Sequence, residues 1–132
     1  MATILLVDDE PLLRRAFRAL LEASGYVVSE AGSAREAIER AHADRPSLIL
    51  LDLGLPDRPG LEVARELSAS ATLRRVPVIA MTGRSGQDVS LECSLAGCAG
   101  HLVKPIEPRE LVRRIPAWLG QPPTAAPAEN RV

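Results

Sequence analysis

Short apolar runs that each end abruptly in polar residues constrain the fold of this chain more than any other feature. Four of them cover residues 4–7, 48–51, 76–81 and 99–103, and a weaker one covers residues 26–30. Stretches with the apolar spacing of a helix alternate with these runs. A strand that is apolar throughout needs cover on both faces, which is typical of parallel sheets. The alternation therefore predicts an α/β fold with a five-stranded parallel sheet covered on both sides by helices.

Local signals indicate where five helices begin and end. Pro11 lies in a first helical turn, where its missing N–H costs nothing, and Gly25 closes that helix. Ser33 followed by Glu36 is the arrangement of a capping box. The predicted helices cover residues 11–24, 33–44, 61–68, 87–96 and 108–119. The first carries apolar residues at helical spacing, namely Leu12, Leu13, Ala16, Phe17, Leu20 and Leu21.

The composition is that of one globular domain. The chain has 132 residues, of which 46% are hydrophobic and 25% charged, and its formal net charge is −1. A basic surface for DNA, a long apolar run and a basic leader are all lacking in the sequence, so we expect no binding to DNA or membranes. With two cysteines, the cytoplasm is the expected compartment. Residues 1–119 are predicted to form the domain, and the Pro- and Ala-rich residues 120–132 a disordered tail.

Polar residues at the ends of the predicted strands are expected to meet in one crevice. Asp8 and Asp9 follow the first strand, Asp52 the third, Thr82 the fourth and Lys104 the fifth. Open parallel sheets bind ligands outside the carboxyl ends of their strands. Lys104 is the only lysine among 16 lysine and arginine residues. A compact point charge is therefore used at this one position, where arginine would offer a broad fork.

These side chains suit the chemistry of a phosphoryl group beside a divalent cation. Clustered carboxylates repel one another unless a cation lies among them, and Mg²⁺ prefers such oxygen ligands together with phosphate oxygens and water. Thr82 and Lys104 suit the oxygens of a phosphoryl group. Asp52, after the most apolar run, is the best placed nucleophile. As an alternative, Asp8 or Asp9 could simply cap the first helix.

Four segments together resemble the receiver domains of two-component response regulators. They are ILLVDDE at 4–10, LLDLGLP at 50–56, MTG at 81–83 and HLVKP at 101–105. They occur in the order of that family, and the resemblance extends to about residue 119. It implies a doubly wound, flavodoxin-like sheet with strand order 2-1-3-4-5. The HLVKP segment and the LP-x-x-x-G segment after the third strand are most similar to receivers associated with hybrid histidine kinases.

The resemblance also implies a role for each residue of the crevice. Asp52 would accept the phosphoryl group, which Thr82 and Lys104 would contact. Mg²⁺ would be held by Asp8, Asp9 and Asp52 with the backbone carbonyl of Gly54.

Two further expectations concern the fifth strand and the bond that follows it. His101 occupies the position of the rotamer switch coupled to Thr82, where the family often has Tyr or Phe. The Lys104–Pro105 peptide bond is expected to be cis.

These assignments predict a phosphorylation-dependent signalling switch rather than an enzyme with a separate substrate. The phosphoryl donor would be a histidine kinase or a histidine phosphotransfer protein. The output would be contact with a downstream protein through the fourth helix, fifth strand and fifth helix, and a phosphorylation-dependent homodimer is a further hypothesis. Alternatively, the chain is a receiver fragment of a hybrid sensor kinase, or a phosphate sink or relay.

Two hypotheses from other classes are less favoured. A Mg²⁺-dependent phosphatase with an aspartyl nucleophile should carry a second acid two residues after it, where this chain has Gly54. A flavin- or nucleotide-binding module would need a phosphate loop rich in glycine or hydroxyl groups after the first strand. The acidic residues found there instead repel phosphate unless a metal intervenes.

The fourth helix is predicted to leave an apolar edge exposed. Its apolar residues do not fit a single register, so Leu91 and Leu95 are predicted to form part of a partner surface. Scattered surface leucines are an equally weighted alternative.

The remaining candidates have simpler interpretations. Cys93 and Cys98 are interpreted as small, buried residues rather than a redox or metal pair, and His42 as a surface residue. Glu10 and Asp57 are interpreted first as solvated loop acids, with a supporting position around the carboxylate site as the alternative.

Overall fold

The computed structural model describes residues 2–120. Five strands alternate with five helices along these residues, as the apolar runs predicted. The strands are β1 (Thr3–Val7), β2 (Val27–Ala31), β3 (Leu48–Asp52), β4 (Val78–Thr82) and β5 (Gly100–Val103). The helices are α1 (Pro11–Ala23), α2 (Ala34–Asp44), α3 (Gly60–Ala69), α4 (Gln87–Leu95) and α5 (Pro108–Leu119). The predicted tail, residues 120–132, lies outside the described residues apart from Gly120.

The strands form one parallel sheet in the order β2-β1-β3-β4-β5. This confirms both the doubly wound architecture and the predicted strand order. The chain moves outward from β1 to one edge and then returns across β3 to the other. The point where the order reverses lies between β1 and β3, so the residues after these two strands face the same crevice.

Two apolar clusters cover the two faces of the sheet. One packs α2 and α3 against one face, around Leu5, Ile49 and Leu67. The other packs α1 and α5 against the opposite face, around Leu6, Leu50 and Ile115. Adjacent residues of β1 and β3 therefore enter opposite cores, which explains why their sequences are apolar without alternation.

The helix ends follow the sequence signals closely. Ser33 is the N-cap of α2, and its Oγ accepts the N–H of Glu36 at 3.1 Å, as predicted. The Glu36 carboxylate accepts the N–H of Gly32 at 2.7 Å. At the C-terminus of α1, Gly25 has φ +99°, a left-handed conformation that glycine adopts without steric cost.

The apolar stripe predicted for α1 was too wide. Phe17 and Leu21 are buried, whereas Leu12 is 76% exposed. Each residue turns a helix by about 100°, so a stripe centred on Leu13, Phe17 and Leu21 directs Leu12 to the solvent side.

The remaining differences from the predictions are shifts of one or two residues at the ends of strands and helices. β2 begins and ends one residue later than predicted, and β4 begins two residues later, after Pro77. Proline has no N–H to donate to the neighbouring strand. Within residues 2–120, none of the helices combines the length and apolar character required to span a bilayer.

Candidate functional site

Backbone hydrogen bonds align the ends of neighbouring strands at one edge of the sheet. The Asp8 N–H bonds the Ala31 carbonyl at 3.0 Å, which aligns the end of β1 with the end of β2. The Lys104 N–H bonds the carbonyl of Thr82 at 2.7 Å and so extends the β4–β5 pairing by one step. These bonds bring the polar residues that follow separate strands into one crevice.

Three carboxylates meet there. Asp8, Asp9 and Asp52 each offer an oxygen, and the three oxygens lie within 4.8 Å of one another. Asp8 and Asp52 are buried, whereas Asp9 is exposed. An ion among them would therefore have two fixed ligands and one that faces water. Hard carboxylate oxygens in this number suit Mg²⁺, which usually keeps part of its water shell.

Asp8 is held in an electrostatically unfavourable position. Burial raises the pKa of its carboxyl above the usual 3.8, and the nearby charges of Asp52 and Asp9 act in the same direction. The N–H of Glu10, which donates to Asp8 Oδ1 at 2.9 Å, and the charge of Lys104 oppose that increase. A bound cation would stabilise the ionised carboxylate of Asp8, so the electrostatics of this site favour cation binding.

Asp52 is the carboxylate with the most direct cationic contact. Lys104 Nζ lies 3.1 Å from Asp52 Oδ1, and the Gly54 N–H donates to the same oxygen at 2.9 Å. The Asp52 side chain is almost fully buried, and that of Lys104 is 33% exposed. Lys104 therefore reaches from solvent into the crevice and leaves Asp52 Oδ2 free of these two contacts.

Thr82 closes the crevice on the β4 side. Its side chain is buried, and its Oγ1 accepts the N–H of Arg84 at 3.0 Å. His101 is half-buried and pairs with Ala80, two residues before Thr82. Side chains alternate across a strand, so Thr82 and His101 lie on the same face of the sheet.

The β5–α5 connection forms the opposite side of the crevice. The Lys104–Pro105 peptide bond is cis. A cavity of about 400 Å³ opens beside this bond and continues toward α1. Its polar end holds Asp8, Glu10 and Lys104, and its apolar walls are Leu13, Phe17, Pro105 and Ile106.

The structure adds one arginine that sequence reasoning missed. Arg14 Nη1 donates to the backbone carbonyl of Asp8 at 2.6 Å, and its Nε donates to Glu30 at 2.6 Å. Arginine is common in this sequence, so nothing distinguished Arg14 from the others before β2 was placed beside β1. Neither Asp8 nor Asp9 is the N-cap of α1, since Glu10 occupies that position.

The favoured interpretation of Asp57, a solvated loop acid, was incomplete. Asp57 is exposed, but its carboxylate accepts the N–H groups of Ala34 and Arg35 at 2.8 and 3.0 Å. Both hydrogen bonds lower the pKa of Asp57 below its usual 3.8, and the bond from Ala34 has the larger effect. The loop after Asp52 is thereby attached to the first turn of α2.

The fourth helix exposes the leucines that the sequence singled out. Leu91 is 59% and Leu95 73% exposed, while Val89 and Cys93 are buried. Cys93 and Cys98 are free thiols, and burial raises the pKa of both, that of Cys98 to about 12. A raised pKa lowers the fraction of the reactive thiolate, in keeping with a packing role for both cysteines.

Known protein families and relatives of similar sequence point to the same family for this chain. The family model of the response regulator receiver domain matches residues 4–116. The chain is 36% identical over 118 residues to the polar-differentiation response regulator DivK of Brucella anthropi, an alignment that covers 89% of this chain and 96% of that protein.

Solved structures give the same answer. The chemotaxis response regulator CheY4 of Vibrio cholerae superposes with a TM-score of 0.85 at 28% identity, covering 89% of this chain and 98% of that one. The receiver domain of the sensor histidine kinase PA1611 from Pseudomonas aeruginosa, described with magnesium coordinated in its active site cleft, gives 0.82 at 35% identity, covering 91% and 98%. With five strands in the predicted order and a family match over nearly all described residues, this chain belongs to the response regulator receiver domains of two-component signalling.

Proposed function

We propose that this protein is a signalling switch that accepts a phosphoryl group on Asp52. The observation that carries the proposal is the Lys104–Asp52 contact of 3.1 Å within a carboxylate cluster whose other members are the buried Asp8 and the exposed Asp9. In the proposed step, an Asp52 carboxylate oxygen forms a bond to phosphorus as the P–N bond of a donor phosphohistidine breaks. Lys104 then stands beside the new phosphoryl oxygens, where its charge stabilises them.

Asp8, Asp9 and Asp52 are the residues that would hold Mg²⁺, with the backbone carbonyl of Gly54. The spacing of the carboxylate oxygens and the raised pKa of Asp8 both support a cation at this position. When bound, Mg²⁺ would neutralise charge on the phosphoryl oxygens. The protein's part is to hold the carboxylates so that Asp52 approaches phosphorus from a fixed direction.

Thr82 and His101 are proposed to convert phosphorylation into a change of surface. The Thr82 hydroxyl accepts a backbone N–H but keeps its own proton available for a phosphoryl oxygen. Movement of Thr82 toward Asp52 would open space on the face that it shares with His101. Repacking of His101 would then alter the surface formed by α4, β5 and α5.

Two separate surfaces are proposed for the two kinds of partner. The cavity beside Lys104, with the exposed Leu12 nearby on α1, suits a histidine kinase or phosphotransfer protein that must reach Asp52. Leu91 and Leu95, together with Val103 on β5, form the proposed output surface. That output is contact with a downstream protein or a second phosphorylated copy of this chain, and the proposed compartment is the cytoplasm.

The proposed chemistry is limited to phosphorylation and dephosphorylation of the protein itself. Gly54 stands where an aspartyl-phosphate phosphatase would carry a general acid, and it offers no side chain to protonate a leaving group. The role of a phosphate sink or relay, or of a receiver within a hybrid kinase, uses the same site and differs in its partners.

The first test is the intact mass of the protein after incubation with acetyl phosphate and Mg²⁺. We expect one phosphoryl adduct that is lost in Asp52→Asn and in the presence of a chelator. Because acetyl phosphate can be a poor donor, binding of beryllofluoride with Mg²⁺ is measured in parallel. Failure of both reactions would overturn the proposed function.

Two variants test whether the donor surface and the output surface are distinct. Leu12→Glu and Leu95→Glu place the same charge on leucines of similar exposure, on α1 and α4 respectively. We expect Leu12→Glu to slow transfer from a phosphohistidine donor without altering the reaction with acetyl phosphate. Leu95→Glu should preserve both reactions and abolish binding of the phosphorylated protein to its output partner. Equal effects of the two variants on donor transfer would contradict the assignment.

A further inference from the structure

The start of α2 is capped twice, from two distant parts of the chain. Ser33, directly before the helix, accepts the N–H of Glu36 at 3.1 Å. Asp57, 23 residues after Ala34, accepts the N–H groups of Ala34 at 2.8 Å and Arg35 at 3.0 Å. The first cap is local, whereas the second joins α2 to the β3–α3 loop. The first four N–H groups of a helix have no partner within it, and Ser33 accepts only one of them. Asp57 accepts two more, from a loop that is distant in sequence.

The β3–α3 loop begins at the proposed phosphorylation site and is anchored at both of its ends. At its start, the Leu53 N–H bonds the Met81 carbonyl at 2.9 Å, and the Gly54 N–H bonds Asp52 Oδ1. At its end, the Gly60 N–H bonds the Leu53 carbonyl at 3.1 Å. A Cβ at Gly60 would come within 2.5 Å of Leu53 Cα, so only glycine permits this closure.

Between these anchors, Asp57 ties the exposed part of the loop to α2. Leu55 packs against the core that includes α2, and Arg58 pairs with Glu62 and Glu66 of α3. Gly54, Pro56 and Asp57 are exposed. Glycine gives the backbone at position 54 wide conformational freedom. The Gly54 carbonyl can serve as a metal ligand only if that freedom is restricted. Two charge-assisted hydrogen bonds from α2 to Asp57, three residues later, supply such a restriction.

We propose that Asp57 is a positioning residue that couples the N-terminus of α2 to the metal site by fixing the loop that carries Gly54. The proposal rests on the proposed function, because it assigns the loop a part in holding Mg²⁺. Asp57 itself does not contact the ion. Since coupling is reciprocal, Mg²⁺ binding should in turn protect the Ala34 and Arg35 N–H groups from exchange with solvent.

The chain provides a matched control. Ser33→Ala and Asp57→Ala each remove a side-chain cap from the same helix end, but only Asp57 belongs to the loop. Mg²⁺ alone is titrated into each variant, with isothermal titration calorimetry as the readout and circular dichroism as the check on folding. We expect Asp57→Ala to raise the Kd for Mg²⁺ by about threefold or more, roughly the effect of weakening one ligand contact. Ser33→Ala should leave it within about twofold of the wild type.

Asp57→Asn refines the test. The side chain of asparagine has one oxygen in place of two, so it can replace only one of the two carboxylate oxygens that accept the N–H groups of α2. We expect a Kd between those of the wild type and Asp57→Ala. Hydrogen exchange of the Ala34 and Arg35 amides is measured with and without Mg²⁺, and slower exchange with Mg²⁺ should be seen in Ser33→Ala but be lost in Asp57→Ala.

The outcomes separate this inference from the proposed function. If the wild type does not bind Mg²⁺, the proposed function fails and the inference fails with it. If the wild type binds Mg²⁺ and both cap variants bind it equally well, or both lose affinity to the same extent, Asp57 acts only as a helix cap and the inference alone is overturned.

Discussion

Two helices border the crevice, α1 after Asp9 and α4 after Thr82, and they are attached to the sheet in different ways. On the α1 side, both oxygens of Glu30 in β2 are engaged, one by Arg14 at 2.6 Å and the other by Arg18 at 2.8 Å. Arg14 also bonds the carbonyl of Asp8. Helix α1 is therefore tied by charge to β2, by a hydrogen bond to the residue that follows β1, and by the packing of Phe17 and Leu21.

Helix α4 has much weaker attachments. Its buried residues, Val89 and Cys93, pack with Ala80 in a small cluster. This cluster meets the larger core under α2 and α3 only through partly buried residues, namely Leu53, Leu61 and Cys98. The Arg84–Glu92 pair at 3.3 Å lies on the surface, with both side chains well exposed. Exposed pairs of this kind contribute little to stability. Leu91 and Leu95 are mostly exposed and add little to the buried surface of the helix.

The difference separates the tasks of the two sides. In the proposed function, the side with Asp8 holds a metal ligand in place, which favours a helix fixed by buried contacts. The side with Thr82 is the one proposed to respond, and segments that move in switching proteins come from regions of low local stability. Weak attachment of α4 supports the proposed output surface, because little free energy is needed to repack it.

The largest expected difference is in the loss of stability when a leucine of α1 or of α4 is replaced by alanine. Leu21→Ala should lower the free energy of unfolding by about 2–5 kcal/mol, because it leaves a cavity in the core beneath α1. Leu95→Ala should change it by less than about 0.5 kcal/mol, since the side chain is already in water. Urea denaturation followed by circular dichroism measures both. Similar losses would show that α4 is packed as firmly as α1.

A smaller difference in stability is expected between variants that remove the Arg14–Glu30 pair and the Arg84–Glu92 pair. Arg14→Met should lower the free energy of unfolding by about 1–3 kcal/mol, because it leaves Glu30 and the Asp8 carbonyl without a partly buried donor. Arg84→Met should cost at most about 0.5 kcal/mol. The same urea titrations at low and high salt give the answer. A cost for Arg84→Met equal to that for Arg14→Met would remove the distinction between the two sides.

The smallest effect is a change in acid sensitivity. The hydrogen bond from Arg18, and then that from Arg14, lower the pKa of Glu30 below its usual 4.5, although partial burial opposes them. A lowered pKa in the folded state stabilises the protein fully above pH 4.5, and this contribution is lost as the pH falls through the folded value. Glu30→Gln should therefore be less stable at neutral pH and lose less stability on acidification.

Thermal unfolding between pH 3 and 7 tests this prediction. Glu92→Gln removes a charge from the exposed pair beside α4 and serves as the control. An acid response of Glu30→Gln as steep as that of the wild type would show that the Arg14–Glu30–Arg18 contacts do not contribute to acid sensitivity.

Much of the architecture could be predicted from local patterns. Apolar runs located the five strands, and Pro11, Ser33 and Gly25 located helix ends, because capping and backbone conformation depend on residues that are neighbours in sequence. The convergence of Asp8, Asp52 and Lys104 followed from a general property of parallel sheets. The sequence alone thus determined which side chains end the strands, and hence the chemistry available at that edge.

Contacts between distant elements were decided only by the tertiary structure. No local pattern pairs Arg14 with Glu30, or Asp57 with the first turn of α2, because these contacts require β2 to lie beside β1 and the β3–α3 loop to pass over α2. The exposure of Leu12 likewise depends on how α1 is rotated against the sheet. Spacing in the sequence defines which residues share a face, but packing selects which face is buried, because only there do the side chains of two elements fill the same space.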